Sequence, residues 1–303
     1  MHPTLARLQG TVGVWTTTHE TLRPSRIGAI SSILEAGGFG AIWTPEAYGR
    51  EAMTGAMLLL ETSSTLVVAT GIASIYARDA MAAASASRTL AERSSERFVL
   101  GLGVSHRPLV ERTRKGVYDP PLEAMSKYLD AYDTASVLSV EHDVVPPVVL
   151  AALGPKMLHL AATRTDGALT YLVTIEHTER ARAALGPDAF LGVEQSVVLG
   201  EDRDEFLRRA HEHLNWYTGL ENYRASWRRL GFGDEDFVRG GSERLCDAIV
   251  VHGDAEAIEQ RVASHVAAGA DHVCLQVLGA STVEIPFDQW EALGEHLSRL
   301  PSS

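Results

Sequence analysis

Lysine is scarce in this chain: across 303 residues only Lys115, Lys127 and Lys156 occur. Lysine and arginine together number 27 against 39 acidic residues, a formal net charge of −12. A surface of that sign repels phosphate backbones, so a nucleic-acid partner is excluded. Cysteine is equally sparse. Cys246 and Cys274 are the two present; they permit no disulfide framework beyond one bridge and lack any partner at metal-ligand spacing. There is no His-Glu-x-x-His, and His211 and His213, two apart on a helical segment, face different ways. No metal site is expected. No apolar run approaches membrane-spanning length, and Met1-His2-Pro3-Thr4-Leu5 lacks the basic start and apolar stretch of a signal peptide. The expectation is a reduced, cytoplasmic protein with neither a membrane nor a nucleic acid as partner.

What the chain does contain is a repeated unit. Eight β-rich runs can be placed: Thr11–Trp15, Ala41–Thr44, Thr65–Ala69 continuing toward Ile75, Phe98–Leu102, Val148–Ala152, Ala168–Val173, Phe190–Leu199 and His272–Val277. Most are followed by helical periodicity. Pro24 opens one helix, whose face carries Ile27, Ile30, Ile33 and Leu34 and which Gly37-Gly38 stops. Asp79 is placed to cap a helix over Ala80–Ser94, another runs from Leu122 to about Leu138, and Asp254–Ala268 and Pro286–Leu300 flank the last strand. Alternating strands and helices predict a parallel sheet, and this length fits one (β/α)8 barrel spanning residues 1–303. Between the seventh and eighth strands lies Gly200–Gly253, helical in pattern and far too long for an ordinary connection. It reads as an insertion over one mouth of the barrel.

Chemistry in such a barrel belongs to the strand C-termini. Gly101-Leu102-Gly103-Val104-Ser105-His106 ends the fourth strand. It opens like a dinucleotide fingerprint, but His106 stands where the third glycine belongs; as a serine elbow it lacks the closing glycine. Its glycines either admit a ligand to the backbone or permit tight packing. Gly154-Pro155-Lys156-Met157 begins a helix just after the fifth strand, where free amides and the helix dipole hold phosphate or carboxylate. Glu46 follows the second strand directly. Trp15 and Trp43 close the first two strands, where they can wall an aromatic cofactor or simply pack.

Several of these segments together resemble the bacterial luciferase-like monooxygenase superfamily. They are Thr70 to Arg78, Thr89 to Phe98, Leu100-Gly101-Leu102-Gly103, Gly154-Pro155-Lys156-Met157, and Gly253 to Val273 with its Ala268-Gly269-Ala270-Asp271 turn. More narrowly they are similar to its actinobacterial coenzyme F420-dependent oxidoreductases, over roughly residues 10–280. The resemblance implies a (β/α)8 TIM barrel, often a homodimer, holding F420 or, alternatively, FMN at the strand C-termini. It implies a non-proline cis peptide ending the third strand, which by motif match falls at Ser74–Ile75. It implies that Gly101, Gly103, Val104, Ser105, Gly154, Pro155, Lys156 and Met157 hold the cofactor's phosphate and tail, with Trp43, Ser74 and Ile75 at its ring.

The chain departs from sugar-phosphate-oxidising members at two positions. They carry Asp-His after the second strand, where this chain has Glu46-Ala47, and a glutamate where it has His106. That argues against sugar-phosphate oxidation and moves the candidate catalytic role to Glu46 and His106. The expectation is hydride transfer between deazaflavin and a small or medium organic molecule. The alternatives are an FMN-dependent monooxygenase using oxygen, and a barrel that binds the cofactor without turnover.

Overall fold

The computed structural model describes residues 1–138, 144–279 and 285–297. Ten strands are present among them: β1 Val12–Trp15, β2 Ala41–Thr44, β3 Val67–Thr70, β4 Ala73–Ser74, β5 Phe98–Gly103, β6 Val148–Ala151, β7 Gly167–Thr170, β8 Phe190–Leu199, β9 Val250–Gly253 and β10 His272–Val277. The strands pair in parallel in the order β1-β2-β3-β5-β6-β7-β8-β10, and β10 returns to β1. The sheet is thus a closed eight-stranded parallel barrel ringed by helices. Its strands read as near-continuous apolar runs because both faces are covered. Leu5, Leu8, Trp43, Val67, Val99, Val149, Leu169 and Phe190 form a cluster of their own, separate from the larger core under the helices.

Helix starts follow local chemistry. Asp79 accepts from the Ala82 amide at 2.8 Å and starts helix Ala80–Arg93, and Asp254 does the same for Ala257 at 2.9 Å and helix Ala255–Ala267. Thr174 caps Ile175–Leu185. The helix expected to reach Leu138 is Pro121–Asp133, ended by Thr134. The last helix is Phe287–Leu297, and residues 298–300 of its expected span lie outside the described residues. The strand expected over Ala168–Val173 stops at Thr170, because Leu172 turns to φ 55° and gives its amide to the Glu194 side chain.

The segment expected to be helical from Gly200 to Gly253 holds helices Arg203–Tyr217, Glu221–Arg229 and Glu243–Ile249, but it ends in a strand. β8 is ten residues long. Its first half pairs with β7 and its second half, Ser196 to Leu199, pairs with β9, while β10 runs along the opposite edge. β9 therefore takes over the edge that the shorter β7 leaves bare. The excursion has its own apolar cluster, built from Phe206, Leu214, Tyr223, Trp227, Phe237 and Val250 and shared with Leu172, Val198 and Leu278 of the barrel. That sharing seats the excursion against the C-terminal ends of β7, β8 and β10.

Candidate active site

The site grows from a mismatch in register. Val68 and Ala69 of β3 pair with Phe98 and Val99, whereas Ala73 and Ser74 of β4 pair with Leu102 and Gly103. Thr70, Gly71 and Ile72 thus face only Leu100 and Gly101, and the extra residue must bulge toward the mouth. Thr70 Oγ1 bridges the gap, donating to the Gly101 carbonyl and accepting from its amide, both at 2.8 Å. Trp15 Nε1 donates to the Gly71 carbonyl at 2.7 Å, and the Glu46 amide donates to that of Ile72 at 3.1 Å. The cis peptide lies at Gly71–Ile72, inside this bulge. The expected Ser74–Ile75 position is corrected, because by Ser74 the chain has already rejoined the ladder and the Ile75 amide donates to the Gly103 carbonyl.

Glu46 stands behind the bulge. Its Oε2 accepts from the Ser74 amide at 2.9 Å, and its Oε1 takes the Arg78 guanidinium and the Ala52 amide. Arg78 also pairs with Glu51 at 2.6 Å. The carboxylate is almost wholly buried and both its oxygens are engaged. A carboxylate free to meet a reacting centre is not what this geometry offers; it is a brace.

The fourth-strand glycines have a packing reason. A Cβ on Gly101 would collide with the Thr70 carbonyl oxygen, and one on Gly103 would come within 2.5 Å of the Ile72 side chain. Trp43, expected at the cofactor ring, is fully buried and donates Nε1 to His272 Nε2 at 3.1 Å within the barrel. Ser74 and Ile75 are likewise buried behind the bulge. Val104 and Ser105 remain half-exposed at the mouth, with Ser105 at φ 55°.

Across the mouth runs a chain of rings that the sequence did not disclose. Trp15 lies 5.1 Å from Tyr171, Tyr171 lies 5.5 Å from Tyr217, and Tyr217 lies 5.0 Å from Tyr223. His106 joins it at 5.8 Å from Tyr223. The Tyr171 hydroxyl donates to Gln276 Oε1 at 2.7 Å and so accepts from Tyr217 at 3.0 Å. His106 has no side-chain hydrogen bond to a described residue, and burial pushes its imidazole down to about 4. Beside the rings opens a pocket of about 330 Å³, lined among others by Trp15, Thr16, Arg209, His213, Trp216 and Gln276.

At the β6 end, Gly154 is the N-cap of helix Pro155–Arg164. A Cβ there would meet nothing nearer than Arg229 Nη2 at 3.9 Å. Lys156 is exposed and Met157 half-buried. Arg229 reaches over from the excursion and donates to the Leu153 carbonyl at 3.0 Å. Partial desolvation and the neighbouring Arg180 charge lower its pKa, and it makes no ion pair with a described carboxylate. Lys156 and Arg229 are therefore uncompensated cations beside a helix N-terminus.

Glu194, Ser196 and His213 also escaped sequence reasoning. Glu194 and Ser196 point into the barrel from β8, and His213 approaches from helix Arg203–Tyr217. A charged residue inside the apolar run Phe190–Leu199 was the available signal. Burial raises the Glu194 carboxyl to about 7 despite hydrogen bonds from the Leu172 amide and the Ser196 hydroxyl. His211 turns the other way, to the Gly240 carbonyl.

A closed parallel barrel with a braced bulge, an aromatic mouth and a cationic ledge at its strand C-termini defines a mouth-sited barrel enzyme. The chain belongs to the luciferase-like monooxygenase family, whose model matches residues 7–272, and is an enzyme of the luciferase-like oxidoreductase kind. A Mycobacterium tuberculosis protein named as a candidate coenzyme F420-dependent oxidoreductase, Rv3520c, is 25% identical over 86% of this chain and 92% of its own length. The coenzyme F420-dependent tetrahydromethanopterin reductase of Methanopyrus kandleri shares the fold with a TM-score of 0.69, at 16% identity over 94% of this chain and 97% of that one. The FMN-bound oxygenating component of a Pseudomonas putida Baeyer–Villiger monooxygenase gives 0.65, at 14% identity over 94% and 95%. No helix among the described residues is long and apolar enough to cross a membrane.

Proposed function

We propose that this chain is a coenzyme F420-dependent oxidoreductase acting on a small or medium organic molecule. The observation that carries the reading is the ledge at Gly154, Lys156 and Arg229, where cations without counter-charge adjoin the positive end of the helix Pro155–Arg164. Such a site suits a phosphate followed by a carboxylate-bearing tail. The donor set fits the rest of the cofactor as well. The bulge at Gly71–Ile72 offers a firm apolar wall to a flat ring, and Thr44 Oγ1 beside it is buried with no hydrogen-bond partner. Similarity to the mycobacterial relative supports the same choice.

Bound deazaflavin would supply the hydride chemistry. The protein would supply orientation and a water-poor environment. Val104, Ser105 and the Gly154–Met157 turn would hold the phosphate end. Trp15, Thr70 and Glu46 would fix the bulge, with Glu46 a positioning residue. His106 would present a neutral imidazole to the mouth, able to give or accept one hydrogen bond. Gly101 and Gly103 would serve by letting β5 pack under the bulge.

Titrating the protein with F420 and, separately, with FMN, followed by fluorescence and absorbance, tests this. Tight F420 binding, with reduction or reoxidation of the bound cofactor by members of an alcohol, aldehyde and ketone panel, is the expected result. Preference for FMN with oxygen consumption would replace this reading by the monooxygenase one. F420 binding without turnover on any substrate would leave a carrier.

A further inference from the structure

Glu194 sits in the middle of β8, 1% exposed, and makes no ion pair with a described residue. Isolated buried carboxylates are rare because desolvation penalises the charge, and one that persists is commonly a proton-handling group. Its Oε2 accepts from the Leu172 amide at 3.0 Å and its Oε1 accepts from Ser196 Oγ at 2.7 Å. Ser196 Oγ also lies 3.2 Å from His213 Nε2. A hydroxyl has one proton, and here it points at Glu194. His213 Nε2 must then be the donor to Ser196, which fixes the tautomer and leaves the Nδ1 lone pair free. His213 Nδ1 has no hydrogen-bond partner among the described residues, and His213 lines the 330 Å³ pocket.

We propose that His213 is the pocket's proton-exchanging residue, wired through Ser196 to Glu194, and that the substrate presents a hydroxyl, or the corresponding carbonyl, to His213 Nδ1. The proposal rests on the oxidoreductase reading above. For a secondary alcohol, the O–H proton would move to His213 Nδ1 as the carbinol carbon gives up hydride, bound deazaflavin being the oxidant that would supply the two-electron chemistry. The alcohol thereby becomes a ketone. The Nε2 proton passes to Ser196 Oγ, whose own proton passes to Glu194 Oε1. One proton travels from substrate to carboxylate and none is gained or lost. Carbonyl reduction runs the same path backward.

The surroundings are suited to this traffic. Tyr171 at the end of β7, Tyr217 and His213 from one helix, Tyr223 from the next and Cys274 from β10 face Glu194, and none is a fixed cation. On the His213 side, Arg209 is bound to Glu205 and the Leu278 carbonyl, and Glu212 to Arg208. Burial lifts the Glu194 carboxyl to about 7 and presses the His213 ring to about 4, so near neutrality the carboxylate is the proton reservoir and the ring its neutral intermediary. Trp15, Trp216 and Tyr217 give the pocket an apolar side for the substrate's carbon frame, and Thr16 and Gln276 give it polar contacts.

The test uses the full chain labelled with 13C,15N-histidine, with His213→Gln assigning the ring signals. The expected result is a neutral His213 carrying its proton on Nε2, with ring shifts that inflect near pH 7. In Glu194→Gln the inflection disappears, and in Ser196→Ala the preference for the Nε2 proton disappears. A His213 protonated on Nδ1, or shifts with no inflection that Glu194→Gln removes, overturns the wire. A second arm uses F420-loaded protein and the alcohol panel. His213→Gln should lower kcat by about 10²-fold or more with F420 affinity unchanged. If the parent binds no F420, the functional reading fails while the ring signals still decide the wire. If the parent turns over and His213→Gln keeps its kcat and pH profile, the proton role fails alone.

Discussion

Glu46 and Arg78 form an ion pair directly behind the bulge that ends β3, with side chains 3% and 9% exposed. The Ser74 amide closes on the same carboxylate, so a single charged group holds both the helix that follows and the strand that rejoins the ladder. Two charges so deeply placed contribute little net stability as a pair, but removing one strands the other in a low-dielectric site.

Replacing Arg78 with Met should therefore cost about 3 kcal/mol or more, measured by urea denaturation. Glu46→Gln should cost less, because the amide oxygen can still accept from Ser74. Cofactor affinity should fall in both variants in step with loosening of the bulge. If Glu46→Gln instead abolishes turnover with stability and affinity intact, Glu46 acts at the reacting centre and the brace assignment is wrong.

Glycines at three strand or helix ends should behave differently. A methyl at Gly101 meets backbone, which cannot give way, so Gly101→Ala should lose about 3 kcal/mol or fail to fold. Gly103→Ala meets the Cγ1 and Cδ1 atoms of the Ile72 side chain rather than backbone and should lose about 1–3 kcal/mol while disturbing the bulge. Gly154→Ala has open space and should keep its stability within about 0.5 kcal/mol. Equal melting temperatures for all three would contradict the packing described.

Acid should unfold this protein early. Burial presses His19, His106, His213 and His272 to about 4 and His265 to about 3. The unfolded chain takes up these protons from about pH 6.5 downward, before the fold can, so stability falls as pH drops through the window from 6.5 to about 4. Each such group is worth roughly 3 kcal/mol at the bottom of the window. Glu194, with its folded pKa raised to about 7, acts in the opposite sense between pH 7 and 4.5. One group against five does not reverse the sign. Denaturation midpoints measured from pH 7.5 to 4.5 should decline throughout; a flat profile would mean that water reaches these rings.

The barrel was legible in the sequence because β-runs buried on both faces are apolar and the helices carry ordinary caps. Asp79 could be recognised as such from its position before an alanine-rich periodic segment, whereas Asp254, read as the first helical residue, is the cap of the helix it precedes. β9 was hidden because Val250-Val251 is too short a run to stand apart from the helix before it. The cis bond was misplaced by three residues, since motif matching does not see the register change between β3 and β4. Trp43 was assigned to the mouth although its partner, His272, lies far along the chain, and no local pattern reports that contact. Glu194, His213 and the tyrosine chain come together from β7, β8 and two excursion helices. Only closure of the barrel makes them neighbours.

The ledge gives the last prediction. The Arg229 side chain has one hydrogen bond to a described residue, donated to the Leu153 carbonyl, and no described acidic partner, while Arg180 beside it is engaged with Glu176 and the Arg229 carbonyl. A cation left uncompensated at a helix N-terminus gains most from an anion placed there. Arg229→Gln should preserve the fold, since the residue is exposed and packs little. It should weaken F420 binding about 5–10-fold, close to 1 kcal/mol. The salt dependence of binding should flatten as well, because one screened attraction has been removed. Lys156→Gln should act in the same direction with a smaller effect, as a flexible, strongly hydrated ammonium holds an anion less firmly than a planar guanidinium. Fluorescence titration at low and high ionic strength reads both quantities. Unchanged affinity and unchanged salt dependence in the Arg229 variant would move the anionic end of the cofactor away from this ledge.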